Sequence, residues 1–189
     1  MGSVGTRKNT SSMSVNDFQL EDKKWGKRER ANFEKVIPFM SDNFGDIRDL
    51  IGNIYRRSSS TIHAAGLYDR DGAVKNERAT YFATDNYASE EHLLHEFTHA
   101  ITEEIASHYK ELGYESRSDV LNAMRTEIHQ NLGKEEGKYD GRTWRDRPEE
   151  FLSRFMEYNT SDRRAKGFKP GDISQETLKV IKKWFKKVR

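Results

Sequence analysis

The sequence predicts an α+β domain: a small β-sheet near the middle of the chain, one long helix beside it, and a mainly helical C-terminal half. Three observations carry that expectation. Apolar residues recur three and four apart before residue 58 and again after residue 89. Between these stretches the period shortens, with β-branched and aromatic residues in short runs divided by Asp and Gly. The order of helices, hairpin and helices segregates the two kinds of element, unlike the alternation that builds a parallel sheet.

Residues 1–20 are rich in Ser, Gly, Asn and Thr and read as a flexible tail, leaving 21–189 as a single domain. Lys23, Lys24, Lys27, Arg28 and Arg30 read as a solvated helix start. Phe33, Val36, Ile37 and Met40 follow at helical spacing, with Pro38 expected to break the helix. A second helix is expected from Ile47 through Leu50 and Ile51 to Ile54, with Asp46 near its start. After Ser58-Ser59-Ser60, strands are expected at 61–68 and 79–83, joined by a turn around Asp69-Arg70-Asp71-Gly72.

The long helix then opens on Ser89 as N-cap, with Glu90 and Glu91 where the helix dipole favours anions. Leu93, Leu94, Phe97, Ala100, Ile101 and Ile105 form its apolar stripe. Leu121, Met124, Ile128 and Leu132 mark another helix, stopped by Gly133. Residues 133–147 read as a loop, and Pro148 suits the first turn of a helix over about 149–158. The last helix starts near Ser174, with Leu178, Ile181, Phe185 and Val188 on one face. Lys179, Lys182, Lys183, Lys186, Lys187 and Arg189 occupy the other.

Composition narrows the function classes. Ten Phe, eight Tyr and three Trp in 189 residues need a core to bury them. The net charge of +2, from 33 basic and 31 acidic residues, gives no nucleic-acid or membrane signal beyond the weak basic face of the last helix. No cysteine is present, which excludes disulfides, thiolate ligands and a Cys nucleophile, so any metal must be held by His, Asp or Glu. No signal peptide or membrane-spanning run is read, so the expected setting is cytoplasmic, or delivered or virion-associated by another route.

His95-Glu96-Phe97-Thr98-His99 is the strongest signal. Zinc needs imidazoles converging from one side, and residues four apart on a helix project from one face. At 100° per residue from His95, His99 falls near 40° and Glu96 near 100°, with the apolar stripe roughly opposite. The helix can therefore seat its apolar face in the core while both His face a cleft, with Glu96 beside the metal as a general base. A third ligand must come from elsewhere. A His following a downstream Gly is excluded, because Thr102 and Ile105 hold those positions. His108 and His129 read as residues of solvated faces. Pro148-Glu149-Glu150-Phe151-Leu152 offers a carboxylate at a helix start, where Phe151, Leu152 and Phe155 would bury the helix and leave Glu149 or Glu150 free to reach the metal.

These two motifs together resemble the anthrax lethal factor and Pro-Pro endopeptidase family of zinc peptidases. That family pairs a His-Glu-x-x-His helix with Glu-Phe-Phe-Ala-Glu about forty residues on, whose first Glu is the third zinc ligand. The resemblance places that ligand on Glu150, with Glu149 as an extra acidic residue; a one-residue shift in register would place it on Glu149. It covers roughly the last two-thirds of the chain, though only the two short motifs are specific. It implies a zincin-like fold and one zinc per chain, held by His95, His99 and Glu150. It also implies a metalloprotease that hydrolyses a protein or peptide substrate, with Glu96 catalytic. Two positions depart from the family. Arg154 stands where it has a second Glu, and Thr143 where it has an oxyanion-stabilising Tyr, a role for which Tyr139 is the substitute at hand. The departures define a second reading: a phage- or toxin-related domain that keeps the site without turnover and serves a structural or protein-binding role.

Overall fold

In the computed structural model, which describes residues 13–20, 24–64, 66–132, 147–157 and 172–189, helix α1 spans Lys27–Phe44. Its Phe33, Val36, Ile37 and Met40 are fully buried, as their spacing predicts. Pro38 does not break the helix but sits exposed within it. A proline there costs on the order of 3 kcal/mol. Burying four large side chains at roughly 1.5–3 kcal/mol each outweighs that.

The second helix is shorter than its apolar pattern suggests. α2 spans Arg48–Ile51 and ends at Gly52, which has φ +70°. A Cβ on Gly52 would lie 2.2 Å from the Arg78 carbonyl oxygen, so the chain turns where only glycine fits. Ile54 is consequently a residue of strand β1 (Asn53–Arg57), not of the helix. The first half of the strand expected at 61–68 is also replaced, by the short helix α3 (Ser59–Ile62). Strands β2 (Gly66–Asp69) and β3 (Ala79–Ala83) follow. The sheet order is β1-β3-β2, with β1 parallel to β3 and β2 antiparallel to it. The Asp69 carboxylate holds the connecting turn by accepting the Ala73 and Val74 N–H groups at 3.0 and 2.9 Å.

Helix α4 (Glu90–Ser107) packs against β2 with Leu93, Leu94, Phe97, Ala100, Ile101 and Ile105 buried. Its N-cap is the expected one: Ser89 Oγ accepts the His92 N–H at 3.3 Å. Phe97 joins Phe33 of α1 and Phe82 of β3 at centroid separations of 6.4 and 6.3 Å, tying α4 to the sheet and to α1. α5 (Arg117–Leu132), α6 (Pro148–Glu157) and α7 (Asp172–Val188) complete the α+β fold among the described residues. No described helix is long and apolar enough to cross a membrane.

Two expectations about the chain ends shift. Residues 13–20, read as tail, belong to the packed domain. Met13 is buried, its N–H donates to Ser41 Oγ at 2.7 Å, and its Sδ accepts the Ile47 N–H at 3.2 Å. The basic face of α7 is partly spent on the fold itself. Lys183 pairs with Glu127, Lys182 donates to Asn43 Oδ1 at 3.3 Å, and Lys187 lies 4.6 Å over the Trp184 ring. Residues 1–12 and 133–146 lie outside the described residues.

A buried ion pair locks α1 to the sheet. Arg56 Nη1 stands 2.5 Å from Glu29 Oε2, and Arg56 also donates to the Ala83 and Asn86 carbonyls while lying 4.5 Å over the Trp25 ring. Burial works to raise the Glu29 carboxyl, but hydrogen bonds from the Ala88 N–H, the Arg56 guanidinium and the Gly26 N–H outweigh it. They hold the group below its ordinary value.

Candidate metal centre

One turn of α4 separates His95 from His99 and brings their Nε2 atoms to 3.1 Å, with the rings inclined at 72°. The first turn of α6 delivers Glu150 to the same point. Its Oε2 lies 3.1 Å from His95 Nε2 and its Oε1 lies 3.1 Å from His99 Nε2. Three donors held tetrahedrally about 2.1 Å from a zinc ion would stand roughly 3.4 Å apart. The two Nε2 atoms, 3.1 Å apart, need only a few tenths of an ångström of opening to match that spacing. The donor atoms all lie within 4.8 Å of one another, so His95, His99 and Glu150 form a group that could hold a metal ion.

Local folding explains why α6 presents Glu150. Pro148 opens the helix without needing the donor it lacks, and Leu152, one turn further on, is fully buried and seats that end of α6 in the core. Glu150 keeps its side chain 40% exposed, while those of His95 and His99 are only 16% and 11% exposed. Hydrogen bonding to the His95 and His99 rings holds the Glu150 carboxyl far below the usual carboxylate range. Glu149 lines the same cavity but is not one of the three converging donors.

Glu96 also lines this cavity. Its residue is 8% exposed, and burial pushes its carboxyl above the ordinary value against the opposing charges of His99 and His95. Thr98, inside the motif, is satisfied by its own helix, donating to the Leu94 carbonyl at 2.7 Å. The cavity has a volume of about 740 Å³. Besides α4 and α6, its wall among the described residues is β2, an edge strand of the sheet, and the turn after it, and its lining includes Asp69, Asp71, Glu91 and Glu103 as well as Arg70.

His108 and His129 are not in the group. His108 is held between Glu111, which its Nδ1 contacts, and Glu104, 3.1 Å from its Nε2; both raise its basicity. Tyr139 and Thr143 lie outside the described residues, as does the side chain of Arg154. Gly66 and the β2 wall are not among the residues that the sequence motifs single out. A lone glycine inside an expected strand is a mark of close backbone approach, and that signal was present.

A scan against protein-family models gives no match, and searches of curated proteins and of solved structures give none either.

Proposed function

We propose that the chain is a zinc-dependent endopeptidase. The observation that carries this reading is the convergence of His95 and His99, their Nε2 atoms 3.1 Å apart, on the two carboxylate oxygens of Glu150, each 3.1 Å from one ring, with Glu96 lining the same cavity but outside the group. Two imidazoles and one carboxylate suit zinc and leave a fourth position open. Bound there, zinc would supply Lewis acidity and lower the pKa of a water molecule.

The chain's own residues do the rest. His95, His99 and Glu150 fix the site between α4 and α6. Glu96 accepts the proton of the attacking water on its carboxylate and returns it to the departing amide nitrogen. Its burial raises its proton affinity above that of an ordinary carboxylate, which strengthens it as the acceptor of the water proton. β2 is an edge strand among the described residues and lines the cavity, so its outer main-chain donors and acceptors would suit an extended peptide beside the site.

The test is cleavage of a broad peptide library, proline-rich sequences included, by wild type and Glu96→Gln. The reading expects cleavage that Glu96→Gln abolishes with zinc content intact. Arg154 and Thr143, which depart from the motifs that the chain resembles, favour a second reading: a zinc-loaded structural or protein-binding domain without turnover. A metal-bearing wild type that cleaves nothing would select it.

A further inference from the structure

We propose that Gly66 is a positioning residue for the Glu96 carboxylate: the missing side chain at this one place on β2 makes the room in which that carboxylate sits. An ideal Cβ on Gly66 would lie 2.7 Å from Glu96 Oε1 and 3.0 Å from both its Cδ and Cγ. These separations are well inside van der Waals contact. The demand is for space, not for backbone freedom, because Gly66 is not among the glycines with positive φ.

The strand's alternation gives the same orientation. Tyr68, two residues on, packs against the main core and donates its hydroxyl to the Leu50 carbonyl at 2.7 Å, whereas Leu67 packs with the cluster of Ile62 and Tyr81 on the opposite face. Position 66 therefore shares the face turned to α4. Neither backbone can yield easily. Gly66 is in register with Phe82 of the buried strand β3, and Leu93, Phe97 and Ala100 of α4 are fully buried on either side of Glu96. A methyl group at 66 must displace the Glu96 side chain, so the strand acts as a wall that holds the carboxylate where it is. The kinetic consequence rests on the endopeptidase reading; the contact does not.

The experiment compares wild type, Gly66→Ala, Glu96→Ala and the double variant by thermal unfolding. It adds ¹³C NMR of glutamate-labelled protein, in which the Glu96 Cδ resonance is assigned by its loss in Glu96→Gln. Gly66→Ala should lower the melting midpoint by about 3 °C or more in the wild-type background. It should lower it by less than about 1 °C in the Glu96→Ala background, and it should move the Glu96 resonance. An equal fall in both backgrounds, or an unmoved resonance, overturns the proposal. If Gly66→Ala does not fold, a folded Gly66→Ala/Glu96→Ala double variant carries the same conclusion, and failure of both overturns it. On any library peptide the wild type cleaves, Gly66→Ala should reduce kcat by at least roughly tenfold with KM within about twofold. Absence of cleavage by wild type counts against the peptidase reading alone, since the unfolding and NMR results still decide the role of Gly66.

Discussion

Glu150 stands 3.1 Å from His95 through one carboxylate oxygen and 3.1 Å from His99 through the other, although more than fifty residues of chain separate it from the first. α4 alone provides two donors on one face. The packing of α6 against it, anchored by Leu152, supplies the third. A pair of histidines thereby becomes a group that could hold a metal ion.

That geometry distinguishes two adjacent carboxylates. Glu150→Ala should weaken zinc affinity by at least about 100-fold, whereas Glu149→Ala should change it by less than about threefold. Competition against a chromophoric chelator measures both. The reverse order would establish the register in which Glu149 is the ligand.

The buried Glu29–Arg56 pair fixes the acid limb of stability. The folded Glu29 carboxyl lies below its ordinary 4.5, so its contribution is present above that value and is lost as pH falls through the lower, folded one. Glu29→Gln should cost about 3 kcal/mol at neutral pH, because it leaves Arg56 buried without its countercharge. It should also flatten the decline in stability below pH 4.5. Urea unfolding between pH 3 and pH 7 would show both effects; an unchanged acid slope would remove Glu29 from this role.

His108 acts in the opposite sense. Glu111 and Glu104 raise its folded pKa above the ordinary 6.5, so the stabilisation is complete below that value and is lost as pH rises through the folded one. Both partners are in reach of solvent, which limits the term to less than about 1 kcal/mol. His108→Gln should abolish the small loss of stability above pH 6.5 and leave zinc binding unaltered.

Gly52 reports on the sheet. Its φ of +70° and the 2.2 Å approach of a would-be Cβ to the Arg78 carbonyl mean that Gly52→Ala strains the junction between α2 and β1. A loss of at least about 2 kcal/mol in unfolding free energy is expected. A neutral Gly52→Ala would contradict the parallel pairing of β1 with β3.

What the sequence disclosed was set by periodicity and by local chemistry. The stripe of α4, its Ser89 cap, the start of α6 at Pro148 and the buried Leu178, Ile181 and Phe185 of α7 follow from spacing within one element and are found where expected, with Val188 partly buried. Strand β1 was hidden because Ile47, Leu50, Ile51 and Ile54 continue a helical period across Gly52. Only the approach of Arg78, distant in sequence, shows why the helix stops there. Pro38 misled in the other direction, since burial elsewhere on α1 outweighs its local penalty. In the site, His95, His99 and Glu96 were legible because four-residue spacing is a property of a single helix. The choice between Glu149 and Glu150 depends on how α6 docks, and the wall at Gly66 on how β2 lies against α4. Neither is encoded at short range.

The most direct measurement is elemental analysis of the purified protein beside His99→Ala and Glu96→Gln. About one zinc per chain is expected in wild type and in Glu96→Gln, whose carboxyl is not one of the three donors, with most of the metal lost from His99→Ala. Equal metal in wild type and His99→Ala, or none in either, would contradict the assignment of this site to zinc.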